Sequence, residues 1–369
     1  MKNKFGLLLC AVTVLGAFSC DRRDEKKPDN GNGGNGGNDN PPVQQYDVEA
    51  AKANYLKDAN EVVINEDSVT FTDNSEDAQP KTIKKNPSKV LNLYASFTTL
   101  WYEAGGTCTG VIGGKSSSSQ YVDYIGRDIT QDEGINVVAT SSAGKNWKTE
   151  NMIALQPDLI ICSSAMNGYK TIKTPAKNAN IPLIVPNYDD FGDYLKWFKV
   201  FSAITGHEDL WESVALKALD EVVTVLKEVD PLTGPKVLEI FGGTSASQVN
   251  TKNTVLGEMA IELKATNVAD SWGGASDAER IDINLEQTKL DEPDMILVQC
   301  HAGEEEIKDM IKTTFGENPI WNSLKAVKEN KVFYFEKLYY HNKPNSKFAY
   351  AYKHLAEVLY PDQAFSWEK

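Results

Sequence analysis

His301 and His341 are two of only four histidines in this chain of 369 residues. Each lies just beyond a short apolar run, 295–299 and 332–335, that reads as a strand. In parallel α/β sheets, ligands gather where loops leave the carboxyl ends of strands. The same reading places Tyr94, Ser96 and Tyr188 at strand ends in the first half of the chain. In the second half it adds Trp272 on a Gly-rich loop, and Tyr340 and Lys343 in the stretch 339–345. Aromatic faces, hydroxyls and a few cations suit a large, partly apolar, anionic chelate: rings stack on its body while Lys and His hydrogen-bond its carboxylates. The stretch 339–345 also reads as an edge strand of packed tyrosines followed by a solvated turn. Arg127 is a further cation, equally readable as half of a surface ion pair.

A cage for bare zinc or manganese needs three or four convergent His and carboxylate ligands. His207 begins one helical stretch and His354 lies inside another, so the loops retain two histidines from one half, too few for such a cage. Either could act as an axial ligand to iron or cobalt already held in a macrocycle, or as a hydrogen-bonding group. The chain has no G-x-S-x-G elbow, Walker loop or H-E-x-x-H motif. A binding protein without catalysis or a resident cofactor is expected.

The elements that must position these residues follow from periodicity. Short runs at 69–72, 89–95, 137–139, 159–162 and 183–185 alternate with helical stretches at 98–104 and 150–155, as in a parallel α/β sheet. Leu195, Phe198, Phe201 and Ile204 then recur at helical spacing, Gly206 interrupts, and Leu210, Val214, Leu219, Val222, Leu226 and Val229 continue an apolar stripe to Pro231. The 20 or so uninterrupted residues after Gly206 make a helix of about 30 Å. The βα pattern resumes at 237–241, 295–299 and 332–335 and ends in a helix over 347–359. One unit occurs twice: Glu150 is followed seven and eight residues on by Pro157-Asp158 and then Ile160, and Glu286 likewise by Pro293-Asp294 and Ile296. Each is a helix halted by Pro-Asp and running into a buried strand, once per half, which implies a duplicated lobe.

The Glu-containing helix leading into Pro157-Asp158-Leu159-Ile160-Ile161, the long helix after Asp189-Asp190-Phe191, and the segment Asn318-Pro319-Ile320-Trp321 through Lys331-Val332-Phe333 resemble the substrate-binding proteins of ABC importers for iron-siderophore, haem and cobalamin. The likeness covers roughly residues 62–361. It implies an α/β fold of two three-layer αβα lobes with parallel sheets, joined by a single long backbone helix: a class III periplasmic binding protein. The lobes would span 43–188 and 232–369, with the helix at 189–231 and a metal chelate held between the lobes. It further implies that Glu150 and Glu286 dock onto arginines of a permease, one per lobe, in partnership with the transporter's ATPase. First-turn glutamates favoured by the helix dipole are the plainer reading of both, and the two are compatible. Lys145 falls near the ligand-pairing arginine of ferrichrome-type relatives, in a loop that is longer here. The protein is expected to act as a monomer.

The 52 acidic and 38 basic side chains give a formal charge of -14, the wrong balance for neutralising phosphates, so nucleic acid is excluded as a partner. The only long apolar run, 5–19, is too short for the roughly 20 residues of a membrane span and follows Lys2 and Lys4. With Ala17-Phe18-Ser19-Cys20 it resembles a bacterial lipoprotein signal over 1–19, leaving Cys20 to carry lipid; an ordinary secretory peptide is the alternative. Residues 20–42, rich in Gly, Asn, Asp and Pro, read as a flexible tether. The expected location is the cell envelope, anchored by lipid at the periplasmic face or outer-membrane surface. Cys108, Cys162 and Cys300 are an odd number without a repeated spacing, so no disulfide framework is expected. Two alternatives of different class remain: a surface lipoprotein binding haem or a glycan without a transporter, and a chelatase-like enzyme sharing the two-lobed plan.

Overall fold

A computed structural model of the chain describes residues 46–368 except 77, 145 and 244–247. The expected signal segment, Cys20, its tether and Lys145 lie outside the described residues. Among those described, no helix is long and apolar enough to cross a membrane.

The strands are β1 (Val63–Ile64), β2 (Ser68–Thr72), β3 (Pro80–Lys84), β4 (Val90–Asn92), β5 (Gly110–Ile112), β6 (Asn136–Ala139), β7 (Leu159–Ile161) and β8 (Leu183–Ile184) in the first half. The second half has β9 (Lys236–Gly242), β10 (Gln248–Asn250), β11 (Thr266–Asn267), β12 (Arg280–Asp282), β13 (Met295–Cys300) and β14 (Val332–Phe335). The N-lobe sheet is ordered β6-β5-β4-β7-β8 and is parallel throughout. The C-lobe sheet is ordered β12-β10-β9-β13-β14, with β11 also paired to β9. Here the expectation of two parallel sheets needs refinement: β9, β13 and β14 are parallel, but β10 runs antiparallel to both β9 and β12. Only five residues lie between β9 and β10, too few for the crossover that a parallel pair requires, and the two pair antiparallel. A small antiparallel sheet, β1-β2-β3, precedes both lobes and packs Phe71 edge-on against Trp197, 5.7 Å between ring centroids.

The repeated unit has a concrete structural basis. Gln156 and Glu292, each directly before Pro, adopt left-handed backbone angles and end the preceding helices, Thr149–Ala154 and Leu285–Asp291. The following aspartate then pins the neighbouring strand. Asp158 accepts from the backbone N–H of Ser88 and Lys89 and from the Ser88 hydroxyl; Asp294 accepts from the Lys236 N–H. Both Pro-Asp pairs therefore fix the central strand pairs, β4 with β7 and β9 with β13.

Between the lobes the chain turns at Gly206, and the long helix expected after it is present, continuous over 209–229. Helix Phe191–Thr205 is capped by the Asp190 side chain at its start and stops at Gly206, which has φ +76°. The His207 N–H returns to the Ser202 carbonyl, the hydrogen bond of a left-handed C-cap. A Cβ at Gly206 would meet Asn86 Oδ1 at 2.7 Å, so both backbone angle and space require glycine. After the turn, a π-helical segment, Trp211–Leu216, leads into helix Lys217–Val229. Its buried stripe, including Leu219, Val222, Leu226 and Val229, joins the main core. Phe191 and Tyr194 also pack against Phe348, on the final helix Phe348–Leu359. Cys108, Cys162 and Cys300 are all buried free thiols.

Candidate functional site

A cleft opens where loops leave the strand ends of both lobes, as two adjoining cavities of about 290 and 560 Å³. Both are lined by Lys115, Ser116, Gln120, His301, Lys337 and Asn342. On the N-lobe side, Tyr94 and Ser96 open helix Ala95–Glu103 after β4, and Lys115 opens helix Lys115–Ile125 after β5. The Ser96 hydroxyl accepts a 2.9 Å hydrogen bond from Gln120 Nε2, which ties the two helix starts together. On the C-lobe side, His301 follows β13, and Lys337 and His341 follow β14.

His301 Nδ1 and His341 Nε2 are 2.9 Å apart, with the two rings perpendicular. Phe241, at the end of β9, lies 5.7 Å from the first ring and 5.6 Å from the second. Burial lowers the pKa of both histidines. The Lys337 and Arg280 charges add to the effect at His301; at His341 the neighbouring His301 and Arg280 contribute, and its pKa falls to about 3. Both imidazoles are therefore neutral at pH 7, each with one N–H, and one of those protons lies in the hydrogen bond between them. When His301 donates from Nδ1, its Nε2 keeps a lone pair available to a metal. His341 Nδ1 is buried with no hydrogen-bond partner among the described residues. Among those residues, no group of three His, Cys, Asp or Glu side chains is placed to hold a bare metal ion.

Several expected ligand contacts are corrected. Tyr340 has no exposed surface; its hydroxyl reaches the Ala351 carbonyl and His354 Nδ1, so it belongs to the core. Tyr188 is 1% exposed, and its hydroxyl accepts from the Asn345 N–H. Lys343 is turned away from the cleft: Nζ is 2.8 Å from Asp189 Oδ1 and lies over the Tyr188 ring. The stretch 339–345 forms no edge strand, and its His341 and Asn342 line the cleft. It packs the C-lobe onto the N-lobe, with Tyr124 Oη near the carbonyls of Leu338 and Lys343 and the Asn345 amide donating to Thr99 Oγ1. Trp272 lies in a separate C-lobe pocket, its indole N–H donating to Asp291. Arg127 forms an exposed ion pair with Asp132. Tyr94, Ser96, His301 and His341 are the expected residues that meet in one cleft.

Lys115, Lys337, Arg280 and Phe241 had been missed. Gly113-Gly114 immediately before Lys115 was an available signal, because a glycine pair between a short strand and a helix marks a loop at a strand end. Lys337 stands just beyond the β14 run. Arg280, within an acidic stretch, carried no comparable signal. Glu150 and Glu286 are exposed in the first turns of their equivalent helices, and neither forms an ion pair among the described residues.

Two lobes with polar and aromatic groups lining the space where their loops meet form the frame of a binding cleft. Residues 94–338 match the periplasmic binding protein family; the chain belongs to it, and this is a family of binding proteins rather than enzymes. High-affinity heme uptake system protein IsdE of Staphylococcus aureus (strain bovine RF122 / ET3-1) is 30% identical over 137 residues, covering 37% of this chain and 46% of that protein. The match thus spans about half the length of the curated relatives. An ABC transporter substrate-binding protein from Listeria monocytogenes EGD-e superposes with a TM-score of 0.58 at 20% identity, covering 75% of this chain and all of that one. The heme complex of S. aureus IsdE gives 0.57 at 19% identity, with 74% and 98% covered. The periplasmic vitamin B12 binding protein BtuF of Vibrio cholerae gives 0.58 at 15%, with 75% and 99% covered. At these identities the structures establish the common α/β fold of two lobes.

Proposed function

We propose that this chain is the substrate-binding component of an ABC importer, held to the cell envelope by lipid on Cys20. It captures an anionic metal chelate (a ferric siderophore, haem or cobalamin) between its lobes and presents it to the permease through Glu150 and Glu286. The observation that carries the reading is the cleft wall itself: neutral His301 and His341 beside Lys337, facing Lys115 across the gap. Cations there pair with peripheral carboxylates of the cargo, Tyr94 offers an aromatic face, and a neutral imidazole suits a metal held in a macrocycle. The names of the relatives make haem and cobalamin the first compounds to try. Native mass spectrometry of the chain from Tyr46 onward, against haemin, cobalamin and a set of ferric siderophores, tests the reading. One chelate is expected to give a 1:1 complex that survives competition by albumin; no complex with any of them overturns it.

A further inference from the structure

Beside the cleft, the C-lobe contains a pocket of about 670 Å³ whose walls include Trp272, Arg280, Gln248, Asn284 and Gln287. Nothing in the family match assigns it a role. Its cation is unusually well held. The sheet register places Arg280 on β12 opposite Asn250 on β10, and Gln248 opposite Phe241 on β9. Arg280 Nε donates to Asn250 Oδ1 at 3.2 Å, while the guanidinium carbon lies 4.1 Å from the centre of the Phe241 ring. Those contacts fix one edge and one face of the fork. The terminal nitrogens retain a 3.6 Å approach from NH1 to Glu279, whose side chain is 65% exposed, a solvent-screened contact. A guanidinium fixed in this way, with terminal donors that meet no closer partner among the described residues, is preorganised for a bidentate carboxylate.

The remaining walls set the chemical class. Trp272 spends its indole N–H on Asp291 Oδ2 at 2.8 Å, and the Gln287 amide donates to both oxygens of Asp291. Asp291 thereby holds an aromatic wall and a polar wall in place, leaving Trp272 to contribute ring surface. Phe241 links the two places: its ring supports Arg280 and lies 5.7 and 5.6 Å from the rings of His301 and His341.

We propose that this pocket is a subsite for a flat, carboxylate-bearing arm, with the carboxylate on Arg280 and the ring against Trp272. As part of cargo recognition the subsite rests on the proposed function; as a site for a small aromatic carboxylate it stands alone. Benzoate and the isosteric neutral benzamide are therefore the probes, so that failure here is distinguishable from failure of the chelate titration. In ¹⁵N-labelled protein, benzoate is expected to shift the Trp272 indole and Arg280 Nε–H signals saturably, and benzamide to bind at least about tenfold more weakly, the scale of one charged hydrogen bond. Arg280→Gln abolishes the benzoate response. Asp282→Asn, an exposed change in the pocket wall that removes a like charge, strengthens it. Absence of shifts, equal response to benzamide, persistence in Arg280→Gln, or no gain in Asp282→Asn in folded protein overturns the subsite.

Discussion

His341 illustrates how burial decides chemistry at the residue scale. Its folded pKa of about 3 lies below the model-peptide value of 6.5, mainly through burial and then the His301 ring. The unfolded chain therefore binds a proton between these limits that the folded chain rejects. The stability this group contributes is complete above pH 6.5 and is lost as pH falls toward 3. His341→Gln should flatten that limb, so that the variant gains thermal stability relative to wild type at pH 4.5 while the difference at pH 7.5 is smaller. Glu258 behaves in the opposite sense. Burial, then the charges of Asp190, Glu262 and Asp193, raises its carboxyl to about 8. The folded state keeps this proton while the unfolded state releases it, so stability present below pH 4.5 is lost as pH rises through 8. Differential scanning calorimetry of Glu258→Gln should show a Tm a few degrees above wild type at pH 8.5, and a difference that shrinks at pH 5.

Among the elements, the repeated helix-Pro-Asp-strand unit makes an ordered prediction. Asp158 receives three hydrogen bonds from Ser88 and Lys89, whereas Asp294 has one backbone N–H bond and a 3.8 Å approach from Lys325. Asp158→Ala should cost about 1–2 kcal/mol in urea unfolding and Asp294→Ala less; the reverse order would show that the contacts do not set the cost. The glutamates seven residues before each proline are exposed, and their proposed task is docking. In cells, Glu150→Ala with Glu286→Ala should abolish uptake of the bound chelate and leave its Kd unchanged. Unchanged uptake would instead favour a binding lipoprotein that needs no transporter.

Over the whole molecule, what was legible in the sequence depended on periodicity and on distance along the chain. Buried runs such as Leu159–Ile161 and Met295–Cys300 declared themselves because both sheet faces are covered and every position except Gln299 is apolar. Strands β10 and β12 did not, being three residues each and carrying Gln248, Asn250, Arg280 and Asp282, polar groups whose pairing is non-local. Gly206 was readable as an interruption and the residues beyond it as a continuous helix, whereas the Asn86 side chain that closes on Gly206 comes from a distant turn. For the site, Tyr94, Ser96, His301 and His341 were found because strand ends point to the cleft. Tyr188, Tyr340 and Lys343 were misassigned because a polar tip on a large side chain looks the same in sequence whether it meets ligand or Ala351, Asn345 and Asp189. Packing within the C-lobe, for Tyr340, and between the lobes, for Tyr188 and Lys343, used those groups first.

The central claim is that charge and aromatic surface between the lobes hold an anionic chelate. Absorbance titration of the chain from Tyr46 onward with the chelate identified by mass spectrometry, in wild type and in Lys115→Glu with Lys337→Glu, tests it most directly. Both lysines line the cleft, and neither forms an ion pair among the described residues, so charge reversal acts on the ligand more than on the fold. The account predicts saturable 1:1 binding in wild type and at least a tenfold higher Kd in the folded double variant, about 1.4 kcal/mol. An unchanged or lower Kd would contradict it.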